Sequence, residues 1–216
     1  MVSATANQLV VGNGASDTVL NNSGGTIEAN GGTVYVGYNS TGTVTNAGTL
    51  EATGSSSTLV LGYGTTGWTN TGTVTATLGG TVDLGGVFNT SDLTTGTIQV
   101  IGTGTVNITG ADDNASGPLA KPSWGSYTLD GGTITGGTVD SGAITFGPAG
   151  NSTLSGVTMD GSFAVPSGAN VYVNGNTQFT VGTTNFGDSY LFLDGTGTAA
   201  TVAAGSTLSG NVTVYA

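Results

Sequence analysis

The run GADDN at 110–114 sets Asp112, Asp113 and Asn114 side by side, three hard oxygen donors of the kind that hold calcium. Asp112 and Asp113 are also candidates for the acid and the base or nucleophile of a glycoside hydrolase, as are Asp83 and Asp92 further upstream. Little other chemistry is open to this chain. It has no His and no Cys, and its one basic side chain is Lys121, so Ser/His/Asp and Cys/His nucleophiles, thiolate metal sites and disulfides are all excluded. A polysaccharide lyase needs a basic group for the proton α to a carboxylate and a cation for the developing charge; Lys121, in a Pro-bounded loop, reads as a solvated loop charge instead. Neighbouring carboxylates in a loop ordinarily face water, and GADDN fits neither an EF-hand nor a GGxGxDxUx repeat. The expectation is therefore no catalytic residue and no cofactor, with calcium at Asp112, Asp113 and Asn114 as the candidate exception.

The elements that must carry these residues announce themselves by repetition. Leu9-Val10-Val11-Gly12, Val34-Tyr35-Val36-Gly37, Leu59-Val60-Leu61-Gly62, Val82-Asp83-Leu84-Gly85 and Val106-Asn107-Ile108 recur at spacings of 25, 25, 23 and 24. Gly25-Thr26-Ile27, Gly48-Thr49-Leu50, Gly72-Thr73-Val74 and Gly96-Thr97-Ile98 recur at 23, 24 and 24. A third series runs Leu20-x-Asn22, Val44-x-Asn46 and Trp68-x-Asn70 at 24, then slips, with Leu93 and Thr94 nearest the expected places. Within each phrase apolar and polar residues alternate, as in a strand with one buried face. Three strands per period, with Gly, Asn and Ser at the corners, predict an all-β, right-handed parallel β-helix (β-solenoid) of about 24 residues per turn, the hand following the preference of parallel crossovers. Equal spacing means vertical stacking, so Asn22, Asn46 and Asn70 are expected to form an amide ladder.

The same stacking places Glu28, Glu51, Thr75 and Gln99 in one outward file, where the repulsion of like charges calls for exposure or a bound cation, with exposure the expectation. Thr26, Thr49, Thr73 and Thr97 make another file, which suits a β-branched residue on an open strand face and lacks the second regular row of an ice-binding surface. Tyr35, Tyr38, Tyr63, Trp68 and Trp124 are candidates for a carbohydrate-stacking strip, although Trp68 falls in the inward series. GNGASD at 12–17 is a weak phosphate-loop lookalike, since no Lys and no helix follow it.

Residues 1–109 read as regular repeats, 110–128 as an irregular loop or joint, and 129–216 as a β-helix continuation with a looser repeat. In the last part Leu154-Ser155-Gly156 and Leu208-Ser209-Gly210 lie 54 apart, which suggests two longer coils. The termini show no capping helix, and NVTVYA at 211–216 reads as the inside of a strand, so the natural protein is expected to continue beyond one or both ends, with end-to-end self-association as a further candidate.

With 41 Gly and a net charge of −11, the composition suits tight turns and excludes nucleic acid, which needs several cations for its phosphates. Anionic membrane surfaces are disfavoured likewise, and no apolar run is long enough to insert. No signal peptide is evident, so the chain reads as a mature or excised region whose export signal lies elsewhere.

GTVTNAGTLEATG and NTGTVTATLGGTVDLGG resemble the passenger repeats of bacterial autotransporters and of filamentous-haemagglutinin-like exoproteins. LDGGTITGGTV and STLSGVTMDGSFAVPSGANVYVNGN look like the repeats of very large bacterial surface proteins. The resemblance implies the β-helix fold and an extracellular place, on a bacterial surface or secreted. The function expected is a non-catalytic structural or adhesive stalk module, with a surface glycan or a host or neighbour-cell receptor as partner. Two alternatives stand beside it: a carbohydrate-binding or carbohydrate-active β-helix, and a self-assembling extracellular filament or matrix subunit.

Overall fold

In the computed structural model the chain folds as a parallel β-solenoid, about nine turns of roughly 23 residues per turn with three strands per turn. All residues are described except Ala6, Ser40, Thr65, Ala149, Thr196, Gly197, Asn211, Val212 and Ala216, and residues 213–215 are described by backbone alone. Within NVTVYA, Thr213–Tyr215 is a strand paired with Tyr190, Leu191 and Phe192, as expected, and the other three residues lie outside the described ones. The chain divides into two compact units, Met1–Gly110 and Ala111–Ala216.

The first unit is three parallel sheets. One stacks Val2–Ala4, Thr26–Asn30, Thr49–Thr53, Thr73–Thr77 and Thr97–Ile101. The next stacks Gln8–Val11, Thr33–Tyr38, Thr58–Tyr63, Thr81–Leu84 and Thr105–Ile108. The third stacks Val19–Asn21, Thr43–Asn46, Gly67–Asn70 and Val87–Asn89. Val34, Leu59 and Val82 stand in register and are wholly buried, as are Leu50 and Val74 on the neighbouring sheet. Each such side chain contributes roughly 1.5–3 kcal/mol over leaving it in water. The corner after the second sheet needs glycine. Gly37 has φ +75°, and a Cβ there would lie 2.5 Å from Val44 Cγ2.

The third sheet corrects the expected ladder. Asn21, not Asn22, pairs with Asn46, and Asn22 is exposed. Val19 takes the inward place, leaving Leu20 60% exposed. The cause is the first coil's length. Asn21 to Asn46 is a step of 25 where Asn46 to Asn70 is one of 24, so counting the shorter step back from Asn46 lands one position late. A shift of one position in a strand changes the face. The ladder itself is formed. Asn21 Nδ2 donates to Asn46 Oδ1 and Asn46 Nδ2 to Asn70 Oδ1, both at 2.8 Å. The same two amides also donate to Thr49 O at 3.1 Å and Thr73 O at 3.3 Å, tying the third sheet to the corner that follows it.

Past Asn70 the coil changes. Its indole stacked on Phe88 at 4.5 Å, Trp68 fills the core, while Gly67 pairs with Val87, four positions short of the usual step. A helical turn, Asp92–Thr95, then restores the usual step at Thr97, which pairs with Thr73. Leu93 and Thr94 therefore sit in that turn, with Leu93 buried as its anchor. Thr90 occupies the next rung, and among the described residues Asn70 Nδ2 is buried without a hydrogen-bond partner.

The second unit uses shorter coils. Thr133 to Thr153, Asn151 to Asn170 and Asn170 to Tyr190 are steps of 20, 19 and 20. Within the run 110–128, Ala111–Asp113 pairs with Thr133–Thr135, Leu119 bridges Val139 and Tyr127–Leu129 pairs with Ile144–Phe146, while 114–118 and 120–126 hold no strand. Leu154 and Leu208 do not share a file, contrary to expectation. Leu154 pairs with Val173 and faces the core, whereas Leu208 pairs with Thr184 on another sheet, along the long strand Asn176–Asn185.

Replacing Asn46 with Ala strips a donor from Asn70 Oδ1 and an acceptor from Asn21 Nδ2 inside the core. The expected cost is about 2–5 kcal/mol in denaturant unfolding, against less than about 0.5 kcal/mol for Asn22→Ala. Equal effects would place the ladder elsewhere.

Candidate functional site

The carboxylates singled out by type and spacing are dispersed by the fold, each to a separate task. Asp112 and Asp113 are consecutive in a strand and so point to opposite sides of the sheet. Asp112 is 1% exposed, in register with Ile134. Asp113 is exposed and accepts from the Ala115 amide at 3.1 Å. Asn114 is buried and donates to Gly136 O and Thr138 O at 3.2 and 2.8 Å. Its amide does for this corner what Asn21 and Asn46 do in the first unit. The three side chains thus do not converge on one point, and among the described residues no group of three or more His, Cys, Asp or Glu is placed to hold a metal ion.

Asp83 and Asp92 are separated in the same way. Asp83 faces outward from the second sheet and accepts from Asn107 Nδ2 at 2.8 Å, one coil on. Asp92 is buried in the helical turn, where its Oδ2 takes the Asn89 amide at 3.0 Å. The phosphate-loop lookalike holds an anion of its own: the Asn13 and Gly14 amides donate to Asp17 Oδ2 at 3.0 and 2.6 Å. Glu28 and Glu51 do share a file with Thr75 and Gln99. They are less exposed than their outward position suggests. Glu28 is buried, accepting from Ser3 Oγ at 3.4 Å, and Glu51 is half-buried, accepting from Thr77 Oγ1 at 3.4 Å. Hydroxyls along the sheet draw the two carboxylates down onto it.

Asp112 has a chemical consequence inside the second unit. Tyr127 is itself buried, its ring edge-on to Trp124 at 5.1 Å. Burial, and then the negative charge of Asp112, hold the phenol well above its ordinary pKa of about 10. Trp124 is half-buried over this ring and belongs to no exposed strip.

The other aromatic candidates do gather. Tyr38 and Tyr63 stack with centroids 4.7 Å apart and planes 4° from parallel, and Tyr35 stands edge-on to both, at 5.1 and 5.8 Å. Tyr63 is 43% exposed. A comparable cluster on the second unit escaped the sequence reading: Tyr172 stacks on Phe192 at 4.6 Å, with Tyr190 tilted against Phe192 at 6.0 Å. Its signal was the matched pair NVYV and YLFL, which fall in register once the shorter coil is used as the period.

The fold and these clusters define a parallel β-solenoid with aromatic patches on its outer faces. No family model, curated protein or solved structure matches the chain.

The raised phenol implies an alkaline limit to stability. Because the folded pKa lies above the unfolded one, the stabilisation is complete below about pH 10 and is lost as pH rises through the folded value. Thermal unfolding from about pH 9 to about pH 11 is expected to show a steeper fall in Tm for the native chain than for Tyr127→Phe. Parallel slopes would show that Tyr127 carries no such linkage.

Proposed function

We propose that the chain is a non-catalytic structural and adhesive module of a secreted bacterial cell-surface protein. One observation carries the reading: most of the polar groups singled out by type and spacing are engaged with neighbouring coils and corners. Asn21 and Asn46 serve the ladder, Asp17, Asp92 and Asp113 hold corner amides, and Asp83 is bridged by Asn107. A surface kept wet by Thr, Ser and Asn, with one basic side chain in the whole chain, supports a place outside the cell, where such a face meets neutral partners. The resemblance of the repeats to autotransporter and haemagglutinin-like passengers points the same way.

Carbohydrate binding is the second reading, favoured by the aromatic clusters. In it the solenoid holds rings on a rigid sheet, so recognition costs little conformational entropy. Catalysis requires a carboxylate pair at a working separation, and the dispersal of Asp83, Asp92, Asp112 and Asp113 weighs against one at those residues.

Antibody raised against the purified chain is expected to label intact cells of the source bacterium. The chain is also expected to release no reducing ends from a panel of polysaccharides. Labelling only after permeabilisation would sink the surface assignment. Reducing ends that vanish in Asp112→Asn or Asp113→Asn would make the protein an enzyme.

A further inference from the structure

We propose that Tyr63, braced by Tyr35 and Tyr38, is the stacking platform of a binding site for a neutral pyranose chain running across the coils toward Asp83 and Asn107. The proposal deepens the adhesive reading and rests on it.

The geometry of one corner supplies the platform. From Leu61 to Gly67 the third coil takes six steps along the chain, whereas the fourth turns the same corner from Leu84 to Val87 in three. The fourth coil presents only Gly85 and Gly86 there. The ring of Tyr63 is stacked on Tyr38 on one side and, among the described residues, meets no matching ring from the coil on its other side. Its 43% exposure reflects that difference in corner length. An exposed aromatic ring fixed by two neighbours gives a flat apolar face at small entropic cost, which suits the C–H face of a pyranose.

The register of the same sheet supplies the polar partners. Tyr35, Val60, Asp83 and Asn107 form one outward file, each about 4.8 Å from the next. Val60 is covered, only 8% exposed, so a ligand stacked at Tyr63 passes above it and reaches Asp83, two coils beyond Tyr35 and about 10 Å from it. Asn107 Nδ2 donates to Asp83 Oδ1 at 2.8 Å, which fixes both side chains. Asp83 is half-buried, and a carboxylate and an amide side by side offer the acceptor and donor types that suit sugar hydroxyls. Thr33, Thr58, Thr81 and Thr105 make a hydroxyl file alongside.

Charge selects the class of sugar. Residues 1–110 contain no Lys and no Arg, so nothing here balances a uronate or sulfate, and Asp83 repels one. The small ring cluster set among hydroxyls is also unlike the apolar centre of a protein interface, which needs on the order of 1,000 Å². A neutral glycan satisfies both the apolar ring and its polar border.

Calorimetric titration of the full chain with cellohexaose and with chitohexaose tests this. At least one is expected to bind the native protein, with affinity reduced about tenfold or more in Tyr63→Ala and in Asp83→Ala. Tyr63→Phe, which keeps the ring, is expected to stay within about twofold, and Tyr190→Ala, on the other unit, to be unchanged. An unchanged Tm for Tyr63→Ala ties its loss to the site and not to unfolding. No binding of either probe by the native chain, or equal binding by Tyr63→Ala, overturns the site. Equal binding would leave the adhesive reading in place, and so would failed binding alongside labelling of intact cells. Shortening of a bound hexasaccharide would end the non-catalytic reading, while the Tyr63 dependence of affinity would still support the site.

Discussion

Each strand in this chain hydrogen-bonds to the equivalent strand one coil away, so a residue's neighbours above and below are the residues one period away in sequence. A side chain must therefore suit its file. Val34, Leu59, Val82 and Val106 can differ in shape because each is an apolar group meeting another. A polar side chain pointing inward has no such latitude. It needs a hydrogen-bond partner, either a side chain at the same height of the next coil or a backbone carbonyl as for Asn114, or it is left dry and unpaired.

Asn is the residue that meets this demand, because its amide is donor and acceptor at once and can pass a hydrogen bond along a file indefinitely. The file must nevertheless end somewhere. It ends at Asn70 Nδ2, where the next coil contributes Thr90 after a shortened corner. An unpaired buried amide costs on the order of 1–3 kcal/mol, so the change of coil is a local weak point in an otherwise matched stack. The helical turn Asp92–Thr95 lies at the same place and restores the register of the adjoining sheet. One irregularity thus absorbs the other, and Thr73 still meets Thr97 although Gly67 met Val87 four positions early.

The sequence revealed the fold through its files because stacking repeats chemistry at a fixed interval. It was least legible wherever a coil departs from that interval. One residue too many in the first coil moved the ladder from Asn22 to Asn21 and turned Leu20 outward. The shorter coils of the second unit hid the aromatic file Tyr172–Phe192 and made Leu154 and Leu208 look equivalent. Site chemistry suffered more, since adjacency in sequence is a poor guide to adjacency in a strand. Asp112 and Asp113 are neighbours in the chain and lie on opposite sides of a sheet, one beside Tyr127 in the core and one capping a corner in water. Burial of Asp112 could not be read from a run of Gly, Asp and Asn that resembles a loop.

The rule that governs the interior relaxes outside, and this is where function has room to vary. An outward residue need not match its file neighbours as an inward one must, and the outward file Val10, Tyr35, Val60, Asp83, Asn107 mixes apolar, aromatic, acidic and amide groups freely. Yet the backbone beneath holds these groups at regular heights with the rigidity of the ladder. A solenoid therefore separates two requirements that compete in most folds: the inward residues set stability, and the outward ones can be chosen for recognition with their spacing already given. The cluster of Tyr35, Tyr38 and Tyr63 follows from this separation, since three rings that would be a liability on a mobile loop are held here as one platform by strands that do not depend on them.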